Sequence, residues 1–310
     1  QATYTTPDDT KSMASYRPPQ VPPIDQIGVE ERAAKFQKRS IKRGSKVAGL
    51  ELIISMIDLT TLAGKDTPGK VRMLCRKAKN PLEGRDCPQV GAVCVYPSMV
   101  PIAVEELEGT GIPVASVATY FPSGQASLDE KLHDIEDAVE AGAEEIDIVI
   151  NRGAFLSGDY QRVHEEIQAA GRTAGDAHLK VILETGELQT YDNVRLASEI
   201  AIDAGADFIK TSTGKVQPAA TMPVTLVMLE TIRDHYLETG EKIGMKPAGG
   251  IRKAKQALRY LAMLKETLGD EWLTNKLFRI GASSLLNDVL MQLEKQRTGR
   301  YHSERYLSIS

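Results

Sequence analysis

The feature that most constrains the fold is a rhythm that starts near residue 52, where short apolar runs begin to recur with helical patterns between them. The runs are LIISMIDLT (52–60), GAVCVYP (91–97), PVASVATYFP (113–122), EEIDIVIN (144–151), HLKVILETG (178–186), DFIKTST (207–213), KIGMKPAGG (242–250) and LFRIGASS (277–284). Stretches between them, such as SLDEKLHDIEDAVEAG (127–142) and YDNVRLASEIAIDAG (191–205), space their apolar residues as helices do and end in glycine, a frequent helix stop. Strands that alternate with helices pair parallel, because each helix returns the chain to the start of the next strand. Eight such units predict an α/β chain closed into a (β/α)8 TIM barrel, whereas an open doubly wound sheet more often has five or six strands. With 310 residues, the chain has room for one barrel of roughly 250 residues plus extensions.

Those extensions differ from the repeat. Residues 1–28 set Pro7, Pro18, Pro19, Pro22 and Pro23 among small polar residues, which predicts a disordered tail. An N-terminal helical extension is expected over 29–50, with one amphipathic helix from Val29 to about Val47 that carries Ala33, Phe36 and Ile41 and serves as a lid or cap. The barrel domain then spans 51–298, and 299–310 form a C-terminal tail.

A net charge of −4 gives no global basic field, so neither nucleic acid nor anionic membrane is an expected partner, and no apolar run approaches a membrane span. Cys75, Cys87 and Cys94 lack CxxC spacing and the start lacks a signal-peptide pattern, which together predict free thiols and a cytoplasmic location. Cys94 lies in a buried run and reads as a small core residue before it reads as a reactive thiol. His133, His164, His178, His235 and His302 show no metal-ligand spacing, and no Walker loop, GxGxxG or GxSxG is present, so no metal and no cofactor are predicted.

Chemistry enters through strand alternation, which points successive side chains to opposite faces. In the fourth run Ile146, Ile148 and Ile150 share one face while Glu145, Asp147, Val149 and Asn151 share the other. The fifth directs Lys180, Ile182 and Glu184 inward, the sixth Phe208, Lys210 and Ser212, and the seventh Gly244 and Lys246; the first sets Asp58 on one face with Met56 and Ile54. Asp58, Asp147, Lys180, Lys210 and Lys246 therefore converge inside the barrel near its C-terminal mouth, where this fold keeps its active sites. A paired salt-bridge network is the alternative, but buried ion pairs often fail to recover their desolvation cost, so stability alone explains such a cluster poorly.

A lysine in a dry site beside another cation can lose its proton and attack a carbonyl. Only about one free lysine in 2,500 is neutral at pH 7, and a pKa near 7 requires about 4.6 kcal/mol. A second ammonium about 5 Å away supplies roughly 3 kcal/mol at an effective dielectric of 20, leaving the balance to desolvation. Lys210 and Lys246, on adjacent strands, are the pair placed to do this. Glycines and hydroxyls follow the late strands at TSTGK (211–215), PAGGIR (247–252) and GASS (281–284). Such loops present backbone N–H groups to phosphate in many barrels, although glycine also serves as the default turn residue.

These residues resemble a known family, deoxyribose-phosphate aldolase in its longer eukaryotic form. IDLTTL (57–62), EIDIVIN (145–151), LKVILETGEL (179–188), FIKTSTGK (208–215), MKPAGGIR (245–252) and RIGASS (279–284) occur in the family's order and spacing from about Ser55 to Leu286. The resemblance implies a class I aldolase that reversibly cleaves 2-deoxy-D-ribose 5-phosphate to acetaldehyde and D-glyceraldehyde 3-phosphate. By motif, Lys210 would form the Schiff base, Lys246 would lower its pKa, and Asp147 with Lys180 would move protons through a water. Gly214, Lys215, Gly249, Gly250, Gly281 and Ser283 would hold the phosphate, while Asp58 and Thr60 would line or support the site. The expected partners are small phosphosugars and aldehydes and, among macromolecules, at most further copies of the chain.

Two departures stand out. Where the family reads GFP after the third strand, this chain has Tyr120, Phe121 and Pro122, and where the bacterial branch ends on a catalytic tyrosine, this chain continues through Tyr301 and Tyr306. Two other readings of the same residues stay open: another phosphosugar lyase or isomerase, and a non-catalytic sugar-phosphate sensor.

Overall fold

Eight short strands form the interior: β1 (Ile57–Thr60), β2 (Ala92–Val95), β3 (Val114–Val117), β4 (Glu145–Val149), β5 (His178–Ile182), β6 (Phe208–Lys210), β7 (Gly244–Lys246) and β8 (Ile280–Ala282). The computed structural model describes residues 16–38 and 43–299. All neighbouring strands pair parallel in the order β7-β6-β5-β4-β3-β2-β1-β8. Parallel bridges from Met245 to Phe278 and from Ala248 to Gly281 join the two ends, so the sheet curls into the predicted barrel.

The helices are α1 (Gln26–Gln37), α2 (Arg43–Met56), α3 (Pro68–Lys79), α4 (Val100–Leu107), α5 (Leu128–Glu140), α6 (Arg152–Leu156), α7 (Tyr160–Ala174), α8 (Tyr191–Asp203), α9 (Met222–Thr239), α10 (Ala254–Leu268) and α11 (Leu285–Thr298). Local chemistry marks where several begin. Thr67, Asp159, Thr190 and Thr221 accept from first-turn N–H groups of α3, α7, α8 and α9, and Ser127 with Glu130 closes a capping box on α5. The apolar faces of these helices and the outward residues of the strands, Ile146, Val181 and Met245 among them, make one continuous core between barrel and helices. Inside the barrel a second, small apolar cluster gathers Leu62, Cys94, Ala115 and Val117, with Tyr96 and Phe121 packed against it. Among the described residues no helix is long and apolar enough to cross a membrane.

The chain ahead of the barrel departs from expectation. In place of one helix from Val29 to Val47 there are two, α1 and α2, and α2 runs through the 50/51 boundary to Met56. The first strand therefore begins at Ile57 rather than residue 52, and Met56 and Ile54 do not share a strand face with Asp58. The cause is burial on a helical stripe: Leu50, Ile53 and Ile54 are fully buried, and α2 packs against α10 and α11. Period alone does not separate a short apolar strand from a buried helix turn.

Residues 16–25, expected within the tail, make defined contacts. Tyr16 stacks on His164 at 4.0 Å between ring centroids, the Ile24 N–H donates to Asp192 at 2.6 Å, and Asp25 caps α1. Aromatic stacking and a cap supply the contacts that this proline-rich composition conceals. At the other end Gly299 closes α11 at φ 75°, while Tyr301 and Tyr306 lie outside the described residues.

Candidate active site

Strand register brings the charged residues together. Asp147 pairs with Lys180 across β4 and β5, Ile182 with Lys210 across β5 and β6, and Lys210 with Lys246 across β6 and β7. On the other side Asp58 pairs with Gly281 across β1 and β8. Because paired residues on parallel strands point the same way, these side chains enter one interior layer.

Their contacts form a closed ring. Lys210 Nζ and Lys246 Nζ both donate to Asp147 Oδ2, each at 2.7 Å. Lys246 also meets Asp58 Oδ2 at 2.5 Å. The other Asp58 oxygen accepts from Arg279 Nη1 at 2.7 Å, and Arg279 Nη2 donates to Glu145 Oε1 at 2.8 Å. Glu145 Oε2 accepts from Lys180 Nζ, which returns to Asp147 Oδ1 at 3.5 Å. Asp58, Asp147, Lys180 and Lys246 are wholly buried, with Lys210 3%, Glu145 3% and Arg279 5% exposed.

Burial and neighbours then set the protonation of each group. Burial would raise the Asp147 carboxyl, but Lys210, Lys246 and Lys180 hold it far below the usual carboxylate range. Burial likewise opposes the charge on Asp58, and Lys246 and Arg279 outweigh it, so this carboxyl is held low as well. For Lys246 the desolvation cost is exceeded by attraction to Asp147 and Asp58, which keeps its ammonium well above the ordinary lysine range. Lys210 goes the other way. Burial depresses it, Asp147 pulls it back, and the Lys246 ammonium pushes it further down, with a net shift below the ordinary value. The 2.7 Å contact with Asp147 does not reverse this shift, because burial outweighs it and the Lys246 ammonium, on the same carboxylate oxygen, adds to it. Cys94, also inside the barrel, has its thiol pushed up by burial to about 11.

Above this layer lies an open cleft of about 380 Å³. It brings together Thr60, Gly214, Lys215, Gly249, Gly250, Gly281 and Ser283, the residues singled out from the loop motifs. Of the ring, Lys210 alone lines the cleft among the described residues; Asp58, expected at its wall, is held beneath by Lys246 and Arg279. The Thr60 hydroxyl donates to the Asp58 carbonyl at 2.8 Å, and Lys215 Nζ donates to the Leu62 carbonyl, tying the loop after β6 to the loop after β1. Gly249 allows the loops after β6 and β7 to touch: its φ is +81°, and a Cβ there would fall 2.7 Å from the Ala219 Cβ and 2.9 Å from the Gly214 Cα. Ser283 and Ser284 lead directly into α11, whose first-turn N–H groups receive no side-chain cap from Ser284. A helix start of that kind suits an anion.

Several residues that build the site were not singled out from sequence. Glu145 sits two residues before Asp147 on the same strand face, and Arg279 two before Gly281, so alternation carried the signal for both. Glu184 braces the loop after β6, accepting from the Thr213 N–H at 3.2 Å and hydroxyl at 2.5 Å and from Arg152 at 3.2 Å. At the rim Tyr120 takes a left-handed φ of 57° and is 48% exposed, and its N–H donates to Asp134 at 2.9 Å. A backbone of that kind is cheapest for glycine, so Tyr120 holds it at a conformational cost.

The arrangement provides a lysine with weakened proton affinity on the floor of an anion-suited cleft, with carboxylate and ammonium groups beside it to move protons. The chain is 49% identical over 299 residues to the deoxyribose-phosphate aldolases of Mus musculus and Homo sapiens, covering 93% of this chain and 94% of each relative. Among solved structures it is similar to a putative deoxyribose-phosphate aldolase from Coccidioides immitis, with a TM-score of 0.67 and 26% identity over 87% of this chain and 98% of that one. It also resembles the tetrameric deoxyribose phosphate aldolase from Aeropyrum pernix, with a TM-score of 0.61 and 25% identity over 84% of this chain and 100% of that one. Residues 52–290, from the end of α2 into α11, match the DeoC/LacD family of aldolases, and the chain belongs to that family.

Proposed function

We propose that the protein is a class I deoxyribose-phosphate aldolase, reversibly cleaving 2-deoxy-D-ribose 5-phosphate to acetaldehyde and D-glyceraldehyde 3-phosphate through an imine on Lys210. The observation that carries this reading is that Lys210, its proton affinity lowered, is the ring residue bordering the cleft. Its neutral amine adds to the sugar aldehyde carbon, and loss of water leaves an iminium. The C3 hydroxyl then gives up its proton and the C2–C3 bond breaks. The electron pair moves into the iminium, releasing D-glyceraldehyde 3-phosphate and leaving an enamine. Protonation of the enamine carbon and addition of water release acetaldehyde and free Lys210.

Asp147, in direct contact with Lys210, is the group that exchanges protons during these steps, and Lys180 and Lys246 hold it ionised between them. Backbone donors at Gly214, Gly249, Gly250 and Gly281, with Ser283 and Lys215, hold the phosphate, while Thr60 lines the cleft and Asp58 supports the site from below. No metal or cofactor takes part in this reading. A homo-oligomeric state, supported by the tetrameric relative, and a cytoplasmic location belong to it as well.

Borohydride reduction in the presence of 2-deoxy-D-ribose 5-phosphate tests the reading directly. The expected result is a reduced adduct on the peptide that carries Lys210, together with loss of activity. Binding of the sugar phosphate without any adduct would leave the sensor reading in its place.

A further inference from the structure

The ring beneath the cleft does not balance. Three carboxylates, Asp58, Glu145 and Asp147, face four basic groups, Lys180, Lys210, Lys246 and Arg279, and all seven residues are at least nine-tenths buried. With little water to screen it, a fourth cation without its own carboxylate is relieved by giving up a proton. Arg279 cannot do so, because a guanidinium stays charged in proteins. Lys246 touches two aspartates, and Lys180 touches Glu145 and the free side of Asp147. Lys210 has one carboxylate oxygen, shared with Lys246. It is therefore the amine that burial and the surplus charge together press to give up its proton.

We propose that Arg279 is a positioning residue for the reaction: its permanent charge keeps the ring one cation in excess, and that excess makes Lys210 the neutral amine. The inference rests on the reading of Lys210 as the imine-forming residue. Arg279 is built into this position from both sides. Its forked head bridges Asp58 and Glu145, and its Nε donates to the Asn275 carbonyl, which fixes the guanidinium away from the cleft. The groups that bear on Lys210 directly are Asp147 on β4, Lys246 on β7 and the Cys94 thiol on β2, which stays neutral through the working range. Lys180 on β5, Asp58 on β1 and Glu145 on β4 connect that set to Arg279.

The test is the pH dependence of kcat/KM for sugar-phosphate cleavage by the full chain, in Arg279→Met, Glu145→Gln and the double variant. Arg279→Met leaves three lysines on three carboxylates, so Lys210 holds its proton more tightly. The rising limb should move up by about one pH unit or more, about a tenfold loss at a fixed pH on that limb. Glu145→Gln leaves four cations on two carboxylates and should move the limb down. The double variant restores one cation in excess, and its limb should return to within about half a unit of wild type. A merely structural Arg279 would lower activity without moving the limb, and the double variant would be no better than the singles.

An unmoved or lowered limb in folded Arg279→Met overturns the proposal. Should that variant fail to fold by circular dichroism, Glu145→Gln decides, and an unmoved or raised limb there overturns it equally. Borohydride trapping separates the two levels of argument. Absence of a wild-type adduct on Lys210 removes the imine reading itself, whereas a normal adduct with unmoved limbs removes only the role of Arg279.

Discussion

The floor and the mouth of the barrel solve different problems with different parts of the chain. The floor is made of side chains on strands, where register fixes their positions and each charge is held by the next, from Lys210 through Asp147, Lys246 and Asp58 to Arg279. The mouth is made largely of backbone, with Gly214, Gly249 and Gly250 at φ values of 79° to 82° and Ser283 exposed beside them. On the proposed reading side-chain identity carries the chemistry of the floor, so a substitution there is expected to stop the reaction while leaving the shape intact. At the mouth a substitution acts mainly through what it adds, whether charge or conformational strain.

The largest effect that separates the two regions is expected from Lys210→Met. The apolar chain of similar length keeps the packing yet removes the proposed nucleophile, and kcat should fall at least about ten-thousandfold, about 5.5 kcal/mol of barrier. Single-turnover assays of the folded variant check this, and activity within tenfold of wild type would remove Lys210 from the mechanism. Asp147→Asn comes next. It keeps the shape but loses the proposed proton acceptor and the charge that Lys210 and Lys246 share, so kcat should fall by about a hundred- to a thousandfold. Exchange of acetaldehyde methyl protons into deuterated water should slow in parallel, and an unchanged exchange rate would exclude Asp147 as the proton carrier.

The same contrast decides what could be read from the sequence. Strand alternation placed Asp147, Lys180, Lys210 and Lys246 inside the barrel, because a period of two is a local rule that the fold then preserves. The same rule puts Glu145 on the face of Asp147, but its partner Arg279 is 134 residues away in sequence, and no local rule joins a glutamate on the fourth strand to an arginine beside the eighth. The loops were legible only as glycine-rich motifs, since a glycine written in sequence does not say whether it turns the chain or lets two loops touch, as Gly249 does. The helix ending at Met56 was hidden for a different reason: an apolar run of that length satisfies strand and helix alike until its packing partners are known.

Ser283→Asp sharpens the comparison from the side of the mouth. Ser283 is exposed in the cleft, so a carboxylate there stays hydrated and leaves the fold intact, yet it would stand at the proposed phosphate position. Repulsion at short range should raise KM by about ten- to fiftyfold with kcat little changed. Trapping of an imine at Lys210 by unphosphorylated acetaldehyde should be unaffected. If KM is the same for the variant and the wild type, the phosphate is not held at this loop.

The smallest effect isolates the backbone itself. Gly250 has φ +82°, and a Cβ added there meets nothing within 4 Å, so Gly250→Ala introduces no clash and only the left-handed conformation is penalised. That penalty is about 1 kcal/mol, which for a chain of this size lowers Tm by about 2 °C. KM should rise less than about fivefold, because the loop can still present its N–H groups once the strain is met. Gly249→Ala differs at one point: its Cβ would lie 2.7 Å from Ala219, so the loops after β6 and β7 must separate, and both Tm and KM should change more than at Gly250. Equal effects at the two glycines would mean that conformation alone shapes the mouth, and that the contact between its loops contributes nothing to phosphate binding.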